Sequence, residues 1–175
     1  LNEKVRMGSL AGETQRSEVK TQIQKLLASS QIVYGSLDSI QVVDADSQKG
    51  AFMSPILLMN TKPFEAKEAH EVEAFGPVST IMPYKNSDEA IALSKLGKGS
   101  LVSTIVTADY KEARHYVIGA ATHHGRILIL NNECAKENTG HGSPLPLLVH
   151  GGPGRAGGGE EMGGIRGVKH YLQRT

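Results

Sequence analysis

Cys134, the only cysteine of the chain, is the first residue whose type could support covalent chemistry. A thiolate beside an imidazole is an activated nucleophile. The histidines near it in sequence are His123, His124, His141 and His150. The alternative is that Cys134 is a small buried apolar residue, because its acidic neighbours Glu133 and Glu137 disfavour a thiolate. The cysteine and histidine spacing matches no metal site, so no metal ligands are predicted.

Glu73 and Phe75 lie two positions apart, so in extended backbone their side chains point the same way. A carboxylate can accept hydrogen bonds from both hydroxyls of a ribose, and an aromatic ring can pack against a flat heterocycle. Gly76 and Pro77 follow directly and fix the backbone before the next strand. The pair is therefore a candidate nucleotide site. The alternative is a solvated Glu73 beside a Phe75 that belongs to the core.

A glycine-rich tail spans residues 140–167, where eleven of the twenty glycines lie. It contains Gly152-Pro153-Gly154-Arg155-Ala156-Gly157, a literal G-x-G-x-x-G pattern. In dinucleotide-binding proteins this pattern joins a strand to a helix, and an acidic residue follows about twenty positions later. Here no second strand follows, and further glycines dilute any helix start. We expect a flexible or closely packed turn-rich connection and not a dinucleotide fingerprint.

The pattern of predicted helices and strands that position these candidate residues is most regular between Val78 and Asn131. Three apolar runs in this region are predicted to be strands: Val78–Tyr84, Leu101–Thr107 and Arg126–Asn131. A helix with an apolar stripe is predicted between each successive pair of strands. This series predicts an α/β fold with a βαβαβ unit, whose strands form a parallel sheet with flanking helices.

The ends of these two helices are marked by capping residues and by glycines. Asn86 with Glu89 has the spacing of a capping box, and Asp109 with Glu112 repeats it. The glycines predicted to end the helices are Gly97 and Gly99 for the first and Gly125 for the second.

The first half of the chain is less regular. Between Thr14 and Ser30, apolar residues of helical period predict a surface helix: Val19, Ile23, Leu26 and Leu27. Short strands are predicted at Ile32–Tyr34, Ile40–Val43 and Phe52–Met59. The acidic stretch Pro63–Glu73 has no clean period and is predicted to be a loop with at most one helical turn.

The composition of the chain limits the classes of partner that it is expected to bind. Nineteen Lys and Arg residues against eighteen Asp and Glu residues leave a net charge of +1, with the signs interspersed, so a nucleic-acid or membrane partner is not expected. A single cysteine cannot form an internal disulfide, and no apolar run reaches the roughly 18 residues of a membrane span. We expect one α/β domain over residues 1–175, located in the cytoplasm. The start at Leu1, without an initiator Met, suggests an excised piece of a longer protein.

The segment Glu73-Ala74-Phe75-Gly76-Pro77-Val78 resembles the E-x-F-G-P-V motif of the aldehyde dehydrogenase superfamily. Met7-Gly8-Ser9-Leu10 resembles the M-G-P-L turn of that family with Ser in place of Pro, and Gly50 to Pro55 resembles its G-x-F-x-x-P strand entry. Further segments follow in the order of the family: Asp88 to Ile91, Thr107 to Asp109, and Gly125 to Asn131. The resemblance extends from about Val5 to Tyr171.

The tail departs from the usual P-F-G-G-x-x-x-S-G form of the family. It contains His141-Gly142-Ser143-Pro144-Leu145-Pro146 and then the glycine-rich run from His150 to Glu161. This tail is similar to the branch of the family found in bifunctional ring-opening enzymes of bacterial phenylacetate degradation. That resemblance implies oxidation of a CoA-linked semialdehyde with NADP or NAD as the cofactor, and a homo-oligomer at full length.

The resemblance gives roles to two residues of this chain. It implies that Glu73 holds the nicotinamide ribose and that Phe75 lines the nicotinamide pocket. The nucleophilic Cys, the general-base Glu and the oxyanion Asn of the family correspond to positions upstream of Leu1, so no catalytic residue is expected here and the isolated chain is expected to be inactive. Cys134 falls after the place of the nucleophile in the family order.

Two other functions stay open from the sequence. The first is a non-catalytic binding or oligomerisation module with the same fold. The second is a thiol hydrolase that uses Cys134 with one of the histidines.

Overall fold

A computed structural model describes residues 2–134 and 151–157. His141, His150 and most of the glycine-rich tail lie outside these residues. The backbone contacts divide the chain into two compact units, Leu1–Pro83 and Tyr84–Thr175. Within the described residues, no helix is both long enough and apolar enough to cross a membrane.

The first unit contains two helices and a three-stranded sheet. In chain order its elements are α1 (Glu13–Leu26), β1 (Gln31–Tyr34), β2 (Ile56–Met59), α2 (Glu68–Glu71) and β3 (Val78–Ile81). The strand order is β1-β2-β3, with β1 antiparallel and β3 parallel to the central β2. The predicted strand at 32–34 and the single helical turn within the acidic stretch are confirmed.

Helix α1 forms because its apolar residues face one side and meet the sheet. Val19, Ile23 and Leu26 are buried in one cluster with residues of and before β2: Met53, Ile56 and Leu58. Each fully buried aliphatic side chain of this kind stabilises the fold by about 1.5–3 kcal/mol. The stripe predicted from the sequence is therefore the contact that builds the core of this unit.

The predicted strand at Ile40–Val43 is wrong, since residues 35–55 form a long loop. β-Branched residues favour a strand only where a neighbouring strand completes the hydrogen bonds, and none of the described strands pairs with this loop. The predicted strand Phe52–Met59 is shorter than expected, because β2 begins only at Ile56. Pro55 precedes it and has no N–H to donate to the ladder.

The second unit alternates helices and parallel strands. Its elements are α3 (Ser87–Leu96), β4 (Ser100–Val106), α4 (Tyr110–Ala120) and β5 (His124–Leu130). β4 pairs with β5 in parallel, in register from Ser100 with His124 to Val106 with Leu130. The α/β class with parallel strands is confirmed, and so is the order of elements from β3 to β5. Within the described residues, β3 pairs with β2, and β4 pairs with β5.

Both predicted helix starts are confirmed by their hydrogen bonds. The Asn86 side chain accepts a hydrogen bond from the Glu89 N–H at 3.0 Å. The Asp109 carboxylate accepts hydrogen bonds from the N–H groups of Lys111 and Glu112 at 2.7 and 3.4 Å. Such caps satisfy N–H groups that have no partner inside the helix, and each stabilises it by about 1 kcal/mol.

Gly125 was expected to end the second of these helices, and that prediction is wrong. Helix α4 ends at Ala120, a 3-10 turn spans Ala121–His123, and Gly125 lies inside β5. Its role is close packing. A Cβ at Gly125 would lie 1.9 Å from the Gly151 carbonyl oxygen, so only glycine lets these backbones meet.

Candidate functional site

Glu73 and Phe75 lie in the extended segment that connects α2 to β3. Ala74, between them, packs against the core of the first unit, while Glu73 and Phe75 are both exposed. The Phe75 ring is 76% exposed, which is unusual for a large apolar side chain. The alternative that Phe75 belongs to the core is therefore wrong within the described residues, where its side chain faces outward.

The backbone of this segment is held from two sides. The Gln15 side chain on α1 donates a hydrogen bond from Nε2 to the Phe75 carbonyl oxygen at 2.9 Å, and its Oε1 accepts one from the Ala11 N–H at 3.0 Å. On the other side, the Pro77 carbonyl oxygen accepts a hydrogen bond from the Ile56 N–H at 2.9 Å. These bonds fix the positions from which Glu73 and Phe75 project.

Gly76 lets the segment approach α1 closely. A Cβ at this position would lie 2.8 Å from a methyl carbon of Val19, which is buried. Glycine is needed here for the close contact between Phe75's segment and the helix. Gly76 was predicted from the sequence to fix the backbone, and this close contact is the reason.

Glu73 and Phe75 line one cavity of about 400 Å³, together with Gln15, Glu18 and Val19. Its walls therefore combine two carboxylates, one amide and one aromatic ring. Such a site can accept hydrogen bonds from sugar hydroxyls and can stack a flat ring, which is the chemistry predicted for the pair. Sequence reasoning missed Gln15, whose contact with Phe75 spans 60 residues and leaves no local signal.

Cys134 lies in a turn after β5 and is engaged with the backbone there. Its Sγ accepts a hydrogen bond from the Asn131 N–H at 3.3 Å and donates one to the Ile129 carbonyl oxygen at 3.5 Å. No hydrogen bond joins the thiol to a histidine among the described residues. This geometry gives the thiol a local structural role and offers no support for the hydrolase alternative.

Gly152 to Gly157 do not form a dinucleotide fingerprint. The segment makes a 3-10 turn at Gly154–Ala156, and the Gly152 N–H donates to the Gly157 carbonyl oxygen at 2.8 Å. The Arg155 N–H donates to the Lys98 carbonyl oxygen at 3.1 Å. These N–H groups are used within the protein and do not cradle a phosphate. Over these residues, the predicted closely packed connection is confirmed.

The predicted histidine candidates within the described residues are not brought to the thiol. His124, at the start of β5, is 8% exposed, and its Nδ1 lies 2.6 Å from the Ser100 Oγ. Its Nε2 is buried and has no hydrogen-bond partner among the described residues. Burial, with the neighbouring His123 as a smaller cause, lowers the pKa of His124 below its ordinary value of 6.5.

This shift predicts a loss of stability in acid. Because the unfolded chain binds a proton at His124 before the folded chain does, the free energy of unfolding should be level above about pH 6.5 and fall as the pH drops below it. Denaturant titrations between pH 5 and 8 measure this slope. His124→Gln should flatten it. An unchanged slope in His124→Gln would show that His124 does not cause the loss of stability in acid.

Within the part of the chain that the structure describes, no group of three or more His, Cys, Asp and Glu side chains is arranged to hold a metal ion.

Comparison with known proteins gives the family context. The profile of the aldehyde dehydrogenase family matches residues 1–175. The chain is 51% identical over 171 residues to the protein MaoC of Klebsiella aerogenes, covering 97% of this chain and 49% of that protein. It is 36% identical over 152 residues to 3,4-dehydroadipyl-CoA semialdehyde dehydrogenase of Aromatoleum evansii, covering 87% of this chain and 30% of that protein. The chain thus spans half or less of the length of these relatives.

Solved structures show the same fold at lower identity. Succinic semialdehyde dehydrogenase of Streptococcus pyogenes, solved with NADP+, matches with a TM-score of 0.69 at 22% identity, over 90% of this chain and 30% of that chain. A variant of betaine aldehyde dehydrogenase of Staphylococcus aureus, solved with NAD+, matches with a TM-score of 0.72 at 19% identity, over 90% of this chain and 29% of that chain.

Proposed function

Because the chain belongs to the aldehyde dehydrogenase family, we propose that it forms the nicotinamide-holding part of an NAD(P)-dependent aldehyde dehydrogenase. The complete enzyme would oxidise an aldehyde to a carboxylic acid. The observation that carries this proposal is the exposed Phe75 ring beside Glu73 in one cavity. A ring that stays out of the core and shares its cavity with a carboxylate fits the nicotinamide and ribose of the cofactor.

The cofactor, when bound, supplies a hydride acceptor at the nicotinamide ring. The residues of this chain would hold that acceptor in place. Glu73 would accept hydrogen bonds from the ribose hydroxyls, and Phe75 would pack beside the ring. Gln15 would act as a positioning residue, because its hydrogen bond fixes the Phe75 carbonyl group. Correct orientation of a hydride acceptor accounts for a large part of the catalysis in such reactions.

We place the nucleophilic cysteine and the general base outside this chain. This follows the family resemblance and agrees with the structural engagement of Cys134 in its own turn. By this proposal the isolated chain does not oxidise aldehydes, and its cofactor site is incomplete.

The substrate we propose is a CoA-linked semialdehyde of phenylacetate catabolism. The proposal is supported by the resemblance of the tail and by the relative at 36% identity, which is named for a CoA-linked semialdehyde. Oxidation of that aldehyde would leave the thioester intact and give a CoA-linked carboxylic acid.

Phe75→Ala tests the cofactor site. In the complete enzyme, the loss of ring contact should weaken NADP or NAD binding about tenfold, or about 1.4 kcal/mol, as measured by calorimetry. Phe64→Ala is the matched control, since Phe64 is 53% exposed in the same unit and does not line this cavity. Equal affinities in both variants and the wild type would contradict the proposed role of Phe75.

A second candidate function is assembly. Large apolar side chains are strongly exposed in the second unit, namely Val106 (76%), Tyr110 (76%) and Ile118 (67%). In an assembly module these side chains would lie in the contacts with another subunit. A concentration-dependent oligomer in sedimentation, together with no cofactor binding, would favour an assembly module over the dehydrogenase role.

A further inference from the structure

A second cavity of the first unit lies apart from Glu73 and Phe75. It has a volume of about 610 Å³ and is formed by residues 4–8, the end of β1, residues 39–43 and residues 52–55. The segment before it is tied down by a 2.7 Å hydrogen bond from Asn2 Nδ2 to the Asp44 carboxylate. A second tie is the hydrogen bond from the Leu10 N–H to the Ala51 carbonyl oxygen at 3.0 Å. The cavity is large enough for a nucleotide-sized ligand.

The charges of this cavity are of one sign. Its charged lining residues are Lys4 and Arg6, and no Asp or Glu is among the described residues that line it. Neither cation forms a salt bridge with a carboxylate in the described part of the chain. Lys and Arg without a carboxylate partner attract anions, and their hydrogen bonds to phosphate are about twice as strong as neutral ones.

The remaining lining adds hydroxyl and apolar groups. Tyr34, Ser39 and Ser54 supply hydroxyls, and Phe52 supplies an aromatic ring. Met53, which is 4% exposed, belongs to both the cavity wall and the core. A ligand that suits this lining carries phosphate groups together with a flat or apolar part.

A groove on the sheet adjoins this cavity. This shallower groove of about 320 Å³ shares Tyr34 and Pro55 with the cavity and extends to Gly76 and Pro77. Tyr34 pairs with Leu57, which pairs with Ser79, so the groove crosses two strand spacings, or about 10 Å.

We propose that this cationic cavity binds the phosphate-bearing nucleotide of a coenzyme A thioester. This rests on the proposed function, because it places the far end of the substrate of that enzyme. The nucleotide anchors the substrate on this part of the enzyme. Lys4 and Arg6 therefore determine the preference for CoA-linked over free aldehydes.

The test uses the complete enzyme and the double variant Lys4→Gln/Arg6→Gln. Its Kd for coenzyme A, measured by calorimetry, should rise at least about tenfold, because two charge-assisted contacts are lost. Its KM for a CoA-linked semialdehyde should rise similarly, while its kcat and its KM for a small free aldehyde stay at wild-type values. Lys20→Gln/Lys25→Gln on α1 removes the same charge outside the cavity and should change none of these.

Coenzyme A affinity and semialdehyde KM that are unchanged in the double variant would overturn the inference. An equal loss in the α1 control would also overturn it, because the effect would then come from net charge alone. The experiment distinguishes a failure of the cavity assignment from a failure of the proposed dehydrogenase function. A protein that oxidises free aldehydes but binds coenzyme A independently of Lys4 and Arg6 refutes only the cavity assignment. A protein that binds coenzyme A through Lys4 and Arg6 but oxidises no aldehyde refutes only the proposed dehydrogenase function.

Discussion

Replacing Glu73 with glutamine should lower kcat for aldehyde oxidation by the complete enzyme about a hundredfold and change the aldehyde KM by less than about twofold. Glutamine keeps the size of the side chain but loses the charge and one acceptor for the ribose hydroxyls. The nicotinamide would still bind but would be less well oriented, and poor orientation lowers kcat more than it weakens binding. Steady-state kinetics with saturating NADP or NAD measures the effect.

Glu18→Gln is the matched control for this prediction, because Glu18 lines the same cavity on α1. It removes the same charge from the cavity while leaving the predicted ribose ligand in place. If both variants lose activity equally, the effect comes from the negative electrostatic potential of the cavity and not from a direct contact between Glu73 and the ribose. If neither loses activity, Glu73 does not belong to the site.

Gly99→Ala should lower the free energy of unfolding by about 3 kcal/mol, since two costs combine. Gly99 has a φ of +126°, which residues with a Cβ rarely adopt. A Cβ there would also lie 2.0 Å from the Pro153 carbonyl oxygen, so the segment 151–157 would have to move away from the start of β4. Denaturant unfolding of the two proteins measures the difference.

Gly97→Ala, two residues earlier, is the control. Gly97 has a φ of −70°, and a Cβ there would meet nothing within 4 Å. Alanine at such a position is neutral or stabilises by up to about 1 kcal/mol. Similar losses for the two variants would mean that the packing of residues 151–157 on Gly99 does not contribute to stability.

These two glycines show what the sequence could predict. Both were expected to end helix α3, and Gly97 does cap it. The second role of Gly99, as a contact for Pro153, depends on a segment more than fifty residues away. The capping side chains Asn86 and Asp109 were predicted correctly because each partner lies within three residues. Features that depend on a few neighbouring residues could be predicted from the sequence. Contacts between segments far apart in the chain could not.

The same distinction holds for the candidate site. Alternation in an extended segment predicted that Glu73 and Phe75 would point the same way, but it could not give the direction. The exposure of Phe75 depends on how the segment packs against α1, through Gly76 and Val19. The family resemblance is confirmed by the match over residues 1–175. The roles that it implies for Glu73 and Phe75 remain predictions.

The most direct measurement is a crystal structure of the complete enzyme with bound NADP or NAD. We predict that the hydroxyls of the nicotinamide ribose will lie within hydrogen-bonding distance of the Glu73 carboxylate, at about 2.5–3.0 Å between oxygen atoms. The nicotinamide ring should contact the Phe75 ring. A cofactor bound elsewhere, with Glu73 and Phe75 both facing solvent, would contradict the account.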